Sequence, residues 1–276
     1  MKKILLSVVL LSAISYGYAQ IKTPAPSPSQ TVKQEFGLSN IELSYSRPAV
    51  KGRKIFGDLV PYNAVWRTGA NTATTLTFGD NVVIGGTEIP AGKYGLLAIP
   101  AAGNWTLIIS KQTDVTSPSA YKQDQDLVRV SAKVNPVASK IESFTIQFEN
   151  VKAESLDLVI SWDKSAVRLP IKTNIDDKIL SSIDASMKSD KPAYYQAAMY
   201  YMETGRDAKQ ASEWLAKAIE AQPNAFWVHY QYARSLAKLG KKAQAKEASL
   251  KSRALAEAAK SSDYVSLNDK LLASLK

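Results

Sequence analysis

The stretch of this chain richest in groups able to do chemistry runs from Tyr45 to Asn71. It sets Arg47, Lys51, Arg53, Lys54 and Arg67 against a single acid, Asp58, and interleaves them with Tyr62 and Trp66. Guanidinium forks match carboxylate and phosphate oxygens, and aromatic faces stack on rings. Arg47, Lys51, Arg53, Arg67 and Asn71 are therefore the candidate contacts for an anionic or glycan-type ligand or a protein partner. Tyr62 and Trp66 would stack or anchor. With three glycines and two prolines the segment is too irregular for a strand. A long loop inside a compact domain is more often functional than filler. A second reading stays open: Ile55, Phe56, Leu59, Val60 and Trp66 plug one end of a domain, and the arginines pair with acids of neighbouring strands.

Much other chemistry is excluded by residue type. The chain has no cysteine, and its one histidine, His229, lies far downstream, where a packed or surface role is expected. The region before it therefore holds no Ser-His-Asp triad, cysteine nucleophile or histidine-built zinc or iron site. Carboxylate chemistry, a Ser–Lys arrangement or an oxygen-ligand metal remains. Asp124 and Asp126 could offer two oxygens to calcium, but they lack the glycine and further acids of a calcium loop. A solvated turn, or a pair with Arg129, is expected there, and neither a metal nor a cofactor is assigned. The enzymatic alternative is a carboxylate-dependent hydrolase of envelope glycan or peptide, with Asp58, Asp124 and Asp126 converging near the arginines. The Gly85-Gly86 and Gly92 turns lack the strand-to-helix setting of a phosphate cradle. Trp105 and Trp162 read as core aromatics.

The elements that must position these residues follow from periodicity. Ile41, Leu43 and Tyr45 alternate with polar neighbours, as do Phe144, Ile146 and Phe148, and Leu156, Leu158 and Ile160. Period two with one apolar face predicts half-buried antiparallel strands. Further strands are predicted over 92–99, 105–109 and 127–134, with Gly85-Gly86, Pro90-Ala-Gly92, Pro100-Ala-Ala-Gly103 and Asn135-Pro136 as turns. About nine short strands suggest a β-sandwich or open barrel over 31–173. From Asn174, placed to cap a first turn, the spacing becomes helical, and the chain is Ala-rich to its end. Gly205-Arg206 and Gly240-Lys241 recur 35 residues apart, each opening a helix. Ala211, Leu215, Ala218 and Pro223, echoed by Ala245 and Ala248, fit a tetratricopeptide-like pattern or a plain helical hairpin over 174–276. The fold class is thus α+β, with a β domain followed by a helical region.

The start of the chain reads as an address. Lys2 and Lys3 precede the apolar run from Ile4 to Ile14, and Gly17 and Ala19 stand at the −3 and −1 positions of a cleavage site. Residues 1–19 are expected to be a cleaved signal peptide, since the run is shorter than the roughly 20 residues of a spanning helix. A Pro/Ser-rich leader follows over 20–30, and no later segment is predicted to cross a membrane. The protein is expected in the periplasm or outside the cell. Without disulfides, stability must come from packed cores. The formal charge of +10 falls to +8 without Lys2 and Lys3. Residues 188–276 hold most of the excess, with 15 basic and 9 acidic side chains, a net +6. Solvated Lys-rich helix faces account for that, and no basic-aromatic stripe points to nucleic acid.

Tyr-Ser-Arg-Pro, Lys-Gly-Arg-Lys-Ile-Phe-Gly, Leu-Val-Pro-Tyr, Val-Trp-Arg-Thr-Gly-Ala-Asn and Pro-Ala-Gly-Lys-Tyr-Gly-Leu-Leu-Ala-Ile-Pro occur in this order. Over 30–173 they resemble the domain of unknown function family 2911. That resemblance implies an exported β domain of a type found mainly in Bacteroidetes-type bacteria, several members carrying a helical tail, and supplies no reaction. After Gly-Ala-Asn the family often has Glu, whereas this chain has Thr72. Taken together, the residues favour a binding or scaffolding module over an enzyme.

Overall fold

The computed structural model describes residues 23–276. The expected signal peptide and the first residues of the leader lie outside the described residues. The alternating segments form β1 (Ser29–Phe36), β2 (Ser39–Ser46), β3 (Thr74–Phe78), β4 (Val82–Ile84) and β5 (Thr87–Ile89). They continue as β6 (Gly92–Ile99), β7 (Asn104–Ser110), β8 (Asp126–Lys133), β9 (Asn135–Glu149) and β10 (Ser155–Lys172). A six-stranded sheet runs β1-β2-β3-β6-β7-β8 and a four-stranded sheet β5-β4-β10-β9, with every pairing antiparallel. Gly85 and Gly86 close the β4–β5 hairpin with φ of +58° and +83°, the left-handed pair that a two-residue turn requires.

One apolar cluster draws on both sheets: Leu43, Leu76 and Leu96 from the first, Phe144, Ile160 and Leu169 from the second. The last two strands are much longer than the short strands expected. β10 keeps going by bulging at Asp163, where φ is +52° and the pairing with β9 slips. Its first half pairs with β9 and its end pairs with β4.

β6 is buried on both faces. Leu96 and Ala98 enter the main core, while Leu97 packs outward with Ala73, Ile108 and Val115. The segment after β7 covers that outer face. A Cβ at Gly95 would lie 2.0 Å from the Gln112 carbonyl oxygen, so only glycine lets the covering segment settle. Gln112 then holds the segment together: its Nε2 donates to the Ala120 carbonyl at 3.0 Å, and its Oε1 accepts from the Lys122 N–H at 2.6 Å.

The chain divides after Asn174, and Ile175–Lys276 forms a second compact unit. It contains α1 (Asp176–Met187), α2 (Tyr194–Glu203), α3 (Ala208–Ala221), α4 (Phe226–Lys238), α5 (Lys242–Ala258) and α6 (Ser262–Ser274). Among the described residues no helix is long and apolar enough to cross a membrane. Asn174 is not the cap expected: Ile175 occupies that position and no side chain accepts there, while Asp176 and Asp177 put negative charge in the first turn. Asp207 caps α3, accepting from the Lys209 and Gln210 N–H groups at 2.8 and 3.1 Å. Gly205 and Gly240, with φ of +72° and +73°, follow α2 and α4. Buried Ala198, Ala211, Ala218, Ala233 and Ala245 let consecutive helices approach closely. His229 is buried, with Nε2 2.9 Å from the Pro223 carbonyl. A satisfied polar network joins α4, α5 and α6: Asn268 bonds Ser249 and Ser252 at 2.9 Å each, and Ser252 reaches the Phe226 carbonyl at 2.8 Å.

Asp176 accepts hydrogen bonds from Arg206 and Tyr200, tying the start of α1 to the end of α2. These bonds, Arg206's first, hold its carboxyl below the ordinary value of 3.8. A depressed carboxyl contributes stability that is complete above its unfolded pKa and lost as pH falls through the folded one. Thermal melts followed by helical circular dichroism should therefore lose Tm below about pH 4, and Asp176→Asn should remove that part of the acid sensitivity. Gly95→Ala should cost about 3 kcal/mol, the upper range for overpacking, measured by urea denaturation.

Candidate functional site

The 45–71 segment bridges the two sheets. Its start runs beside β9: the Val50 N–H donates to the Glu142 carbonyl at 2.8 Å and the Phe144 N–H to the Pro48 carbonyl at 2.9 Å. Its end docks on β6 of the other sheet, where Trp66 and Ala98 exchange backbone hydrogen bonds of 2.7 and 2.9 Å. Between them Ile55 and Val60 are buried in the main core, whereas Leu59 is exposed. The aromatic rings meet at this junction. Trp66 stacks on Trp162 of β10 at 6.0 Å and 15°, and Phe56, Trp105 and Phe144 pack edge-on or tilted around the pair. Trp105 and Trp162 are fully buried core aromatics, as the sequence predicts.

A cleft of about 430 Å³ opens over this junction. Trp66 and Trp162 form part of its lining, with Val60, Pro61, Ala64 and Val65 on one side and Thr116, Ser117 and Pro118 on another. Arg53 and Arg67 also stand on the lining, which contains no Asp or Glu. The volume falls in the range of small-molecule sites.

Of the seven candidate contacts, Arg53, Trp66 and Arg67 reach this cleft, and the other four do not. Arg47 turns into the seam beside β9, donating from Nε to the Phe144 carbonyl at 3.1 Å and from Nη2 to Thr145 Oγ1 at 3.0 Å. Asn71 holds the leader, donating to the Ser27 carbonyl at 3.2 Å and to Ser46 at 3.3 Å. Lys51 uses its backbone N–H to bond Glu142 at 2.7 Å, and its side chain is exposed. The Tyr62 ring lies over Gly57 and is exposed. Thr72 is exposed outside the cleft.

The arginines bond backbone carbonyls rather than neighbouring acids. Arg53 donates from Nε to Val50 at 3.1 Å and from Nη2 to Ala49 at 2.6 Å. Arg67 donates from Nη1 to Thr116. Neither makes an ion pair among the described residues. Trp66 donates its indole N–H to the Gly69 carbonyl at 3.1 Å, so the ring offers the cleft only its apolar surface. The turn that presents Trp66 and Arg67 is strained. Thr68, β-branched and fully buried, has a φ of +55°, and Asn71 has +60°. Backbone held in this region clusters at ligand sites.

The acids considered for hydrolysis do not gather here. Asp58 and Asp124 are exposed. Asp126 pairs with Arg129 at 2.8 Å and accepts from Tyr121. Burial, then that bond to Asp126, raises the Tyr121 phenol above its ordinary value. No cluster of three acids or histidines able to hold a metal occurs among the described residues.

Residues 27–171 match the family described as "Protein of unknown function (DUF2911)". No curated protein and no solved structure matches the chain.

The different duties of two arginines can be measured. Arg47→Ala should destabilise the protein by about 2 kcal/mol, because it strips charge-assisted bonds from a part-buried seam. Arg67→Ala, bonded to one exposed carbonyl, should cost about 1 kcal/mol or less. Urea denaturation followed by tryptophan fluorescence reads both.

Proposed function

The chain belongs to the family described as protein of unknown function (DUF2911), and we propose that this member is an exported binding module taking a small anionic or glycan-type ligand in the Trp66 cleft. One observation carries the reading: Arg53 and Arg67 line an aromatic cleft that contains no carboxylate to neutralise them. Placing charge beside apolar surface without a counter-charge costs stability, and a bound anion offsets that cost. The strained turn at Thr68 supports the same site. Export rests on Lys2, Lys3, the apolar run to Ile14 and the small residues Gly17 and Ala19. The helical unit is the part of this reading that docks a protein partner. A carboxylate hydrolase would need two acids across the cleft, and the lining offers none.

The test incubates the purified chain with the small-molecule fraction of an envelope extract, isolates the protein by gel filtration and identifies released species by mass spectrometry. A species held by the wild type and lost from Ala64→Trp, which fills the cleft, is the expected result. Retention that ignores Ala64→Trp would move the site elsewhere, and no retained species would overturn the binding role.

A further inference from the structure

Two ligand chemistries fit an aromatic cleft with arginines on its lining: a sugar, stacked on the indole, and an organic anion. Resting on the binding reading above, we propose that the cleft takes an organic anion, a flat apolar body carrying a carboxylate or phosphate head, and that Arg67 grips the head.

The polar inventory decides between them. A neutral sugar presents hydroxyls that each donate and accept, and its sites supply acids, amides or imidazoles to match. The lining has no Asp, Glu, Asn, Gln or His. Its Ser117 hydroxyl is engaged with Ser119 at 2.9 Å, and the Trp66 N–H is spent on Gly69. The remaining hydroxyls on the lining are those of Ser27 and Thr116, with no acid, amide or imidazole beside them to complete a sugar's hydrogen bonds.

The guanidiniums offer donors alone. Arg53 commits Nε and Nη2 to carbonyls. Arg67 commits only Nη1, which leaves its Nε–Nη2 edge without a partner among the described residues. That edge is the pair of parallel N–H groups that binds a carboxylate or phosphate through two oxygens. The bond to Thr116 fixes the plane of the fork beforehand, so less rotamer freedom is lost when an anion arrives. Arg53 adds a second positive charge on the lining. Val60, Pro61, Val65 and Pro118, with the face of Trp66, provide the surface for a flat apolar body.

The experiment compares three probes of one shape by isothermal titration of the full chain: 2-naphthoate, 2-naphthyl phosphate and neutral 2-naphthalenemethanol. At least one anion should bind tenfold or more tightly than the alcohol, and the arm that wins names the head group. Arg67→Lys, which keeps the charge but loses the fork, should weaken the anions about tenfold and leave the alcohol unchanged. Equal binding of all three would overturn the anion assignment while leaving the cleft as a site. Anion binding undiminished in Ala64→Trp would overturn the site itself. Failure of both anions to bind the wild type at millimolar concentration would overturn the anion assignment, whether or not the extract yields a retained species. The wild-type comparison needs no variant to fold.

Discussion

The stacking of Trp66 on Trp162 is the contact on which the β domain's organisation at this end turns. Trp162 belongs to the four-stranded sheet, Trp105 to the six-stranded one, and Trp66 to neither. A loop residue thus fills the space where two sheets approach. The loop can deliver it because its two ends are fastened to different sheets, beside β9 and on Ala98 of β6. Five rings linked by contacts of 4.8 to 6.3 Å make this a rigid floor. Everything polar around it, including the arginine that approaches from the same turn, is positioned relative to that floor.

The core-plug reading of the 45–71 segment holds for most of its apolar residues and not for its arginines. Its apolar residues mostly plug the core, as the exposure of Ile55 and Val60 falls to 0% and 3%, yet Leu59 stays at 45%. Among the described residues its arginines do not pair with strand acids; they bond backbone carbonyls of the segment itself (Ala49 and Val50), of β9 (Phe144) and of the segment after β7 (Thr116). Loop carbonyls lack ladder partners, and a guanidinium with five donors satisfies several at once. Composition alone cannot distinguish these uses, since Arg47 and Arg67 have the same side chain in the same kind of loop and face different ways.

Strand and helix identity was legible because period two and helical spacing are local properties. β6 coincides with the segment predicted over 92–99, and the helices start and stop around Gly205 and Gly240. What spacing could not carry is tertiary. The great length of β10 depends on a bulge at Asp163, a residue with no turn signature around it. Thr116 to Pro118 join the cleft from about 50 residues away in the chain, and nothing in their own sequence marks them. The unbroken Tyr-Gly-Leu-Leu-Ala-Ile of β6 was the available hint, since a strand without alternation is covered on both faces. Asn174 failed as a cap for a simpler reason: the helix begins one residue later than its position demands.

The close approach of Gln112 to Gly95 also bears on how fast a ligand could come and go. The segment forming one wall of the cleft lies directly on strand backbone, with no side chain between them to act as a bearing. Such a wall cannot swing out as a lid without breaking the packing beneath it. For the ligand proposed above this wall is no gate, and arrival past it is governed by encounter and electrostatic steering. Selectivity among ligands then falls on residence time, on how long each one stays before it leaves.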